Sequence, residues 1–201
     1  MAVIWFVASV LTIVKNKIRK SLLGQGRLLS KEFILDTNLK IQSVAINNID
    51  IQSSQNILLY FPYRNEISLD VLTKEINKYS INIYMPRIIS DTKMKFNLFG
   101  ENYPLTINKY GITELSNENY IDPVCLDLMF IPFVGIDING YRLGYGGGYF
   151  DRALKRYTEN KKRPLIIGLG YEYQISEESF GEFHDIKYDI AITENNIHRF
   201  V

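Results

Sequence analysis

Between Gly140 and Asp151 the chain reads Gly140-Tyr141-Arg142-Leu143-Gly144-Tyr145-Gly146-Gly147-Gly148-Tyr149-Phe150-Asp151, with four glycines among the five positions 144 to 148. Glycine loses more chain entropy on folding than any other residue. Such density is retained where the backbone must take positive φ or where a ligand approaches the main chain closely. Ahead of the loop, Leu126 to Ile131 is a short apolar run that ends at Pro132, the pattern of a buried strand. Behind it, Phe150, Ala153, Leu154 and Tyr157 recur at i, i+3, i+4 and i+7, which predicts a helix over Tyr149 to Glu159 with one face on a sheet. A strand, a glycine loop and a helix start make an anion site, a phosphate group above all, because unpaired N–H groups and the positive helix end converge there.

The common phosphate motifs do not account for the loop. A Walker sequence needs Gly-Lys-Ser/Thr after its first glycine, and a dinucleotide fingerprint counted from Gly144 needs glycine where Tyr149 stands. Arg142, at the mouth of the loop, offers a planar bidentate grip on phosphate oxygens. Asp151 falls in the first helical turn, where it is either a helix-start carboxylate paired with Lys155 or a magnesium ligand. A magnesium ion beside nucleotide phosphates takes one or two carboxylates, and Asp185 and Asp189 are the candidate companions.

The rest of the chain reads as α/β. Ile13 to Leu23 predicts a first helix ended by Gly24-Gln25-Gly26, and Ser30 with Glu32 and Phe33 predicts the start of a second. Ile57 to Phe61 predicts a strand stopped by Pro62, Ile67 to Tyr79 a helix, and Ile81 to Met85 a strand stopped by Pro86. That unit implies parallel pairing through a right-handed crossover. Ile88 to Asp122 is polar, aromatic and irregular, with room for a hairpin, as substrate-covering loops often are. Leu165 to Leu169 and Tyr188 to Ile192 complete the strands. The expected fold is α/β, a single three-layer domain with a mostly parallel central sheet flanked by helices.

Composition narrows the function. In 201 residues, 23 Lys plus Arg face 22 Asp plus Glu, so no broad positive field is available for nucleic acid and any anion is gripped locally. The single cysteine, Cys125, stands at the head of an apolar run and reads as core. Met1 to Val14 is apolar but shorter than the ~20 residues of a membrane span. Its basic cluster, Lys15, Lys17, Arg19 and Lys20, follows it, whereas a signal peptide carries its basic residues first. The expectation is a cytoplasmic protein with an apolar extension over residues 1–14 and one domain over residues 15–201.

Asp127-Leu128-Met129-Phe130-Ile131-Pro132 and the segment from Gly140 to Asp151 together resemble the signature of the 5-formyltetrahydrofolate cyclo-ligase family, with further likeness in Lys15 and Arg19, Tyr60 to Glu66, Met85-Pro86-Arg87 and His184-Asp185. The resemblance implies a single-domain α/β enzyme that uses ATP and Mg²⁺ to close 5-formyltetrahydrofolate into 5,10-methenyltetrahydrofolate, releasing ADP and phosphate; a monomer is the expected form, with the oligomeric state left open by sequence. It implies that Lys15 and Arg19 contact ATP phosphates, and that Arg142, Leu143, Gly144, Tyr145, Gly146, Gly147, Gly148, Tyr149 and Phe150 line the nucleotide. Arg142 and Lys15 would carry the catalytic charge. Asp151 and Asp185 would serve the metal, and Phe61, Glu66, Tyr145 and Tyr149 would touch the folate. Lys15 and Arg19, being i and i+4, also share one helix face on spacing alone.

The chain departs from the family at Phe150, where a second tyrosine is usual, at Glu114-Leu115, where Glu-Pro is common, and in the extension Met1 to Val14. In the implied mechanism the formyl oxygen attacks the γ-phosphate and N10 then displaces phosphate, so no nucleophilic side chain is needed. His184 and His198 are read as structural or solvent-facing. Two alternatives stand beside this reading: another phosphate-ligand enzyme, such as a sugar-phosphate isomerase or coenzyme A transferase, and a protein that holds folate or nucleotide without turnover. Arg142, Lys15, Asp151 and Asp185 argue against the second, since storage needs no magnesium site.

Overall fold

The computed structural model describes residues 2–100, 102–155 and 163–200. Its elements in chain order are helices α1 (Ala2–Gly26) and α2 (Lys31–Asn48), strand β1 (Asn56–Leu58), helix α3 (Asp70–Ile76), strands β2 (Asn82–Ile88), β3 (Met94–Leu98), β4 (Leu105–Ile107), β5 (Thr113–Leu115), β6 (Tyr120–Ile121), β7 (Leu128–Phe130), β8 (Gly135–Ile136) and β9 (Arg142–Leu143), helix α4 (Tyr149–Leu154), and strands β10 (Leu165–Leu169), β11 (Ile190–Ile192) and β12 (Ile197–Arg199). Eight strands form one sheet in the order β12-β11-β10-β7-β1-β2-β3-β6, while β4-β5 and β8-β9 are separate hairpins. The five strands from β11 to β2 are parallel, and β12, β3 and β6 join antiparallel at the edges. The expected mostly parallel sheet is therefore present.

Both faces of the sheet are buried, which is why its strands read as continuous apolar runs and not as alternating ones. Successive side chains still point to opposite sides. Ile57, Phe130, Ile167 and Ile192 pack with Ile41 and Ala45 of α2 and Leu72 and Ile76 of α3. Leu58, Met129, Ile166 and Ala191 pack with Phe150 and Leu154 of α4. Three layers result. The crossovers agree: β1 leads through α3 to β2 on one side, β7 leads through α4 to β10 on the other, and a common right hand puts the two helices on opposite faces.

Several boundaries differ from the sequence reading, each for a local reason. Helix α1 starts well before Ile13, runs unbroken across position 14, and contains Gly24-Gln25-Gly26 as its last turn instead of ending at it. Gly26 is there for close approach, since a Cβ at that position would lie 2.7 Å from the Tyr173 hydroxyl. Pro86 does not stop β2. It pairs with Phe96 of β3, and on its other side β1 has already ended at the Leu58–Tyr84 pair, so no ladder partner loses a donor. Ile88 to Asp122 contains the expected hairpin but also the edge strands β3 and β6. Cys125 is exposed, not core: it closes a 3₁₀ turn started by Pro123 and leaves the apolar run to begin at Leu126. Of the expected helix Tyr149 to Glu159, Tyr149–Leu154 is observed, and Tyr157 and Glu159 lie outside the described residues. Among the described residues no helix is long and apolar enough to cross a membrane.

The expected start of α2 is present, with the Ser30 hydroxyl accepting from Phe33 N. Helix α3 has no such residue of its own, for Leu69 occupies its N-cap position. Gln42 of α2 supplies the cap from outside: its Oε1 accepts from Val71 N at 2.9 Å and Leu72 N at 3.0 Å, and its side chain is fully buried. Replacing Gln42 with Ala orphans two helix-start donors in the core. The expected cost is about 2 kcal/mol, read as a lowered urea midpoint; a change within about 0.5 kcal/mol contradicts the capping role.

Candidate active site

The order of the parallel strands fixes where a ligand can enter. From β1 the chain moves to β2, and from β7 it moves the opposite way to β10 and β11, so the reversal lies between β1 and β7. At such a point the loops leaving adjacent strands diverge and open a crevice beyond the strands' carboxyl ends. A cleft of about 680 Å³ occupies that place. Its walls are the turn after β1 (Tyr60 to Glu66), the loop after β7 (Pro132 and Arg142 to Asp151), the face of α1 that carries Lys15, Arg19 and Leu23, and the β4-β5 hairpin.

Arg142 is the cation at the centre. Its side chain is 7% exposed, Nε donates to Pro132 O at 2.9 Å, Nη1 lies 3.4 Å from Asp151 Oδ2, and the guanidinium sits 5.2 Å over the Phe150 ring. The glycine loop wraps this group. A Cβ on Gly144 would lie 2.7 Å from Arg142 Nη2, so glycine is required there by space. Gly148, at the N-cap of α4, is required by conformation, with φ +61°. Arg19 reaches in from α1 and donates to Gly144 O at 2.7 Å. Burial, and after it the neighbouring Arg142 charge, holds the Arg19 guanidinium below its ordinary value. Two like charges so close mark a place prepared for an anion. With six described residues α4 adds little dipole, so the positive character rests on side chains.

Lys15 lies one helical turn before Arg19 on the same face, as the spacing predicts. Its Nζ donates to Asp185 Oδ2 at 2.5 Å and to Glu182 Oε2 at 2.7 Å. Burial pulls the ammonium down, but the hydrogen bonds to Asp185 and Glu182 outweigh it and hold the group above its ordinary value. Asp151 faces the same cleft, with Oδ1 accepting from Ile186 N at 3.3 Å. Among the described residues no three His, Cys, Asp or Glu side chains converge as a metal cage. The donor set of Asp151 and Asp185, each already near a cation, fits a magnesium ion that takes most of its oxygens from phosphate and water. Asp189, the other candidate companion, is excluded: it pairs with Arg163 and accepts from Ile166 N at 2.8 Å, away from the cleft lining.

Of the candidate folate contacts, Phe61, Glu66 and Tyr145 lie at the turn after β1. Phe61 packs edge-on to Phe99 at 6.3 Å. Glu66 accepts from Tyr63 N at 2.8 Å, and burial raises its carboxyl to about 7 against the pull of that N–H and of Arg142. Burial, then the Glu66 carboxylate, pushes the Tyr145 phenol well up. Tyr149 stands across the cleft mouth, its hydroxyl 2.8 Å from that of Tyr110 on the hairpin. Leu143 and Phe150, expected at the nucleotide, are buried, Leu143 with Leu22, Val134 and Phe180 and Phe150 against Phe96.

The expected hairpin does cover the cleft, but sequence reasoning did not single out its lining residues. Asn108, Tyr110 and Ile112 line the cleft beside Pro86, Ile88 and Met94, and Glu114 anchors them by accepting from Ile88 N at 2.8 Å and Asn108 Nδ2 at 2.7 Å. Leu115, where the family commonly has proline, is fully buried. Arg64, at φ 56°, places its guanidinium 4.9 Å over Tyr63 and 5.6 Å over Tyr145. Asp137, also missed, is fully buried and ties the β8-β9 turn to the loop before Asp185: Oδ1 accepts from Asn139 N and Tyr141 N, Oδ2 from Phe180 N and Gly181 N. Asp-x-Asn-Gly at 137 to 140 was the turn signal that could have found it. His198 bonds Glu172 away from the cleft, while His184 stands at the cleft edge near Glu182 and Asp185.

Comparison with known proteins gives one answer. The profile described as the 5-formyltetrahydrofolate cyclo-ligase family matches residues 12–194. The 5-formyltetrahydrofolate cyclo-ligase of Haemophilus influenzae is 33% identical over 153 residues, 74% of this chain and 81% of that protein. The mouse enzyme of the same name is 27% identical over 191 residues, 90% of this chain and 94% of its own length. Among solved structures, the 5,10-methenyltetrahydrofolate synthetase of Aquifex aeolicus superposes with a TM-score of 0.79 at 29% identity, covering 92% of each chain. That of Mycoplasma pneumoniae gives 0.72 at 26% identity over 90% of this chain and 98% of that one.

Two outcomes follow from the geometry. A carboxyl raised from 4.5 to about 7 by folding stabilises the fold fully below 4.5 and loses that contribution as pH rises through 7. Glu66→Gln therefore gains stability over the wild type between pH 5 and 8, by up to about 3 kcal/mol in denaturant titrations; parallel pH profiles count against the shift. Gly144→Ala keeps the fold by circular dichroism but displaces the Arg142 guanidinium, weakening ATP binding roughly tenfold by calorimetry. Unchanged affinity would show that Arg142 is not held by that contact.

Proposed function

Since the chain belongs to the 5-formyltetrahydrofolate cyclo-ligase family, on a match spanning residues 12–194, we propose that this cleft performs the family's reaction. ATP and 5-formyltetrahydrofolate become 5,10-methenyltetrahydrofolate, ADP and phosphate. The observation that carries the assignment is the meeting of Lys15, Arg19 and Arg142 with the glycine loop, in a cleft whose other wall holds Glu66.

The side chains divide the work. Phosphoryl transfer needs positioning and charge neutralisation more than covalent help from protein. Arg142 is clamped by Pro132 O, Asp151 and the Phe150 ring, so it meets developing charge without reorganising. Arg19 and Lys15 complete the phosphate side, and the backbone from Leu143 to Gly148 lets phosphate approach closely. Asp151 and Asp185 would hold a magnesium ion beside the phosphates, and the ion would supply neutralisation of their charge. On the opposite side, Glu66 accepts from the pterin amino group, Phe61, Tyr145 and Tyr149 offer ring faces, and the hairpin excludes water. A carboxyl that titrates near 7 when free becomes ionised as it accepts those donors. We take the working form to be a cytoplasmic monomer with no nucleic-acid partner, its catalytic domain beginning close to Lys15.

Purified protein mixed with 5-formyltetrahydrofolate, ATP and magnesium is expected to form methenyltetrahydrofolate, followed by its absorbance, and to do nothing without ATP. Arg142→Met lowers turnover roughly 10²- to 10³-fold, and Asp151→Ala raises the magnesium concentration needed for half-maximal rate. Folded wild-type protein that binds ATP yet makes no methenyl product would overturn the assignment and favour another phosphate-ligand activity.

A further inference from the structure

Lys15 is held by two carboxylates, and they are not equivalent. Nζ reaches Glu182 Oε2 at 2.7 Å and Asp185 Oδ2 at 2.5 Å, with the lysine side chain 12% exposed. An ammonium has three N–H donors and no acceptor. Two are committed here, and because the donors are tetrahedral, fixing two directions fixes the third. A flexible four-carbon side chain is thus given one aim, and its rotamer entropy is lost before a ligand arrives.

Asp185 has a second task. Its Oδ2 also accepts the Glu182 N–H at 2.8 Å, while Asp185 N donates to Glu182 O at 2.9 Å, and together these close the turn at residues 182–185. The Glu182 carboxylate takes no part in that turn. Among the described residues its contacts are Lys15 and, at 3.7 Å, His184. The loop's own shape does not require the acid at 182; the direction of Lys15 does. The loop in turn is fixed from behind by the buried Asp137, which accepts from Phe180 N and Gly181 N.

We propose that Glu182 is a positioning residue for the reaction, aiming the Lys15 ammonium at a phosphate oxygen. This rests on the ATP-dependent reading of the cleft, and it makes a prediction whose sign opposes simple charge arithmetic. Glu182 places a negative charge beside a polyphosphate site, so on charge alone its removal strengthens nucleotide binding. On positioning, its removal weakens binding, because Lys15 keeps its charge and loses its aim.

The test measures affinity for a non-hydrolysable ATP analogue by calorimetry, and KM for ATP and for folate, in the wild type, Glu182→Gln, Glu182→Ala, Lys15→Met and the Lys15→Met/Glu182→Gln pair. The expected result is roughly tenfold weaker analogue binding in Glu182→Gln and at least as much in Glu182→Ala, with ATP KM rising in step and folate KM within about twofold. The paired variant is expected to bind no more weakly than Lys15→Met alone, since Glu182 acts through Lys15. Equal or tighter binding in Glu182→Gln, or additive losses in the pair, overturns the proposal while leaving the cyclo-ligase assignment intact. A wild type that fails to bind the analogue overturns both.

Discussion

The buried guanidinium of Arg142 is the constraint around which the site is built. A cation this far from water is tolerated when its donors are taken and its charge is answered nearby. Pro132 O takes Nε, Asp151 faces Nη1 at 3.4 Å, and the Phe150 ring lies beneath. These are held by different elements: the end of β7, and the first turn of α4. Arg142 thereby ties the central strand to the helix on the far side of the glycine loop. The loop must pass around it, and the clash that any Cβ at 144 would make explains one glycine by contact instead of by flexibility.

That arrangement needs the sheet's topology. With the chain reversing direction between β1 and β7, the turn carrying Glu66 and the loop carrying Arg142 emerge side by side and no helix covers the gap. Helix α1 closes it from the end. Leu22 packs on Val134, Leu143 and Phe180, which sets the rotation of α1 and so presents Lys15 and Arg19 to the cleft. The same residue, Leu143, that the glycine loop begins with is the anchor for the helix that brings the other two cations.

What was legible in the sequence was whatever depends on neighbours along the chain. The strand before the glycine loop, the helix after it, Ser30 as a cap and Leu165 to Leu169 as a strand all follow from local pattern and are present. Where the reading failed, a local signal was overruled either by a distant partner or by a neighbouring turn. Pro86 looks like a strand stop, but β1 ends before it and leaves no donor to miss. Gln42 sits mid-helix with no sign that it caps another helix. Cys125 adjoins an apolar run but lies in the 3₁₀ turn that Pro123 starts, one residue before the buried Leu126. For the candidate site, Lys15, Arg19, Arg142, Asp151 and Asp185 all line the cleft. The separation of Asp185 from Asp189 was invisible, because it depends on Asp189 pairing with Arg163 ahead of β10 and accepting from Ile166 N, outside the cleft lining. Glu182, Asn108, Tyr110 and Ile112 gave no motif, since what recruits them is Lys15 and the end of β2.

Two of the cations at the proposed phosphate side are answered by carboxylates, and this suits turnover better than a purely basic pocket. Lys15 faces Asp185 and Glu182, and Arg142 faces Asp151. A cleft lined by three unanswered cations would bind every phosphate species tightly, and uniform binding lowers KM without raising kcat while slowing release of ADP and phosphate. Pairing Lys15 and Arg142 with carboxylates weakens the grip on ground-state anions. Charge that moves during phosphoryl transfer is met by groups whose directions are already set. On this view the acids at 151, 182 and 185 are part of how the basic residues discriminate the transition state from what precedes and follows it.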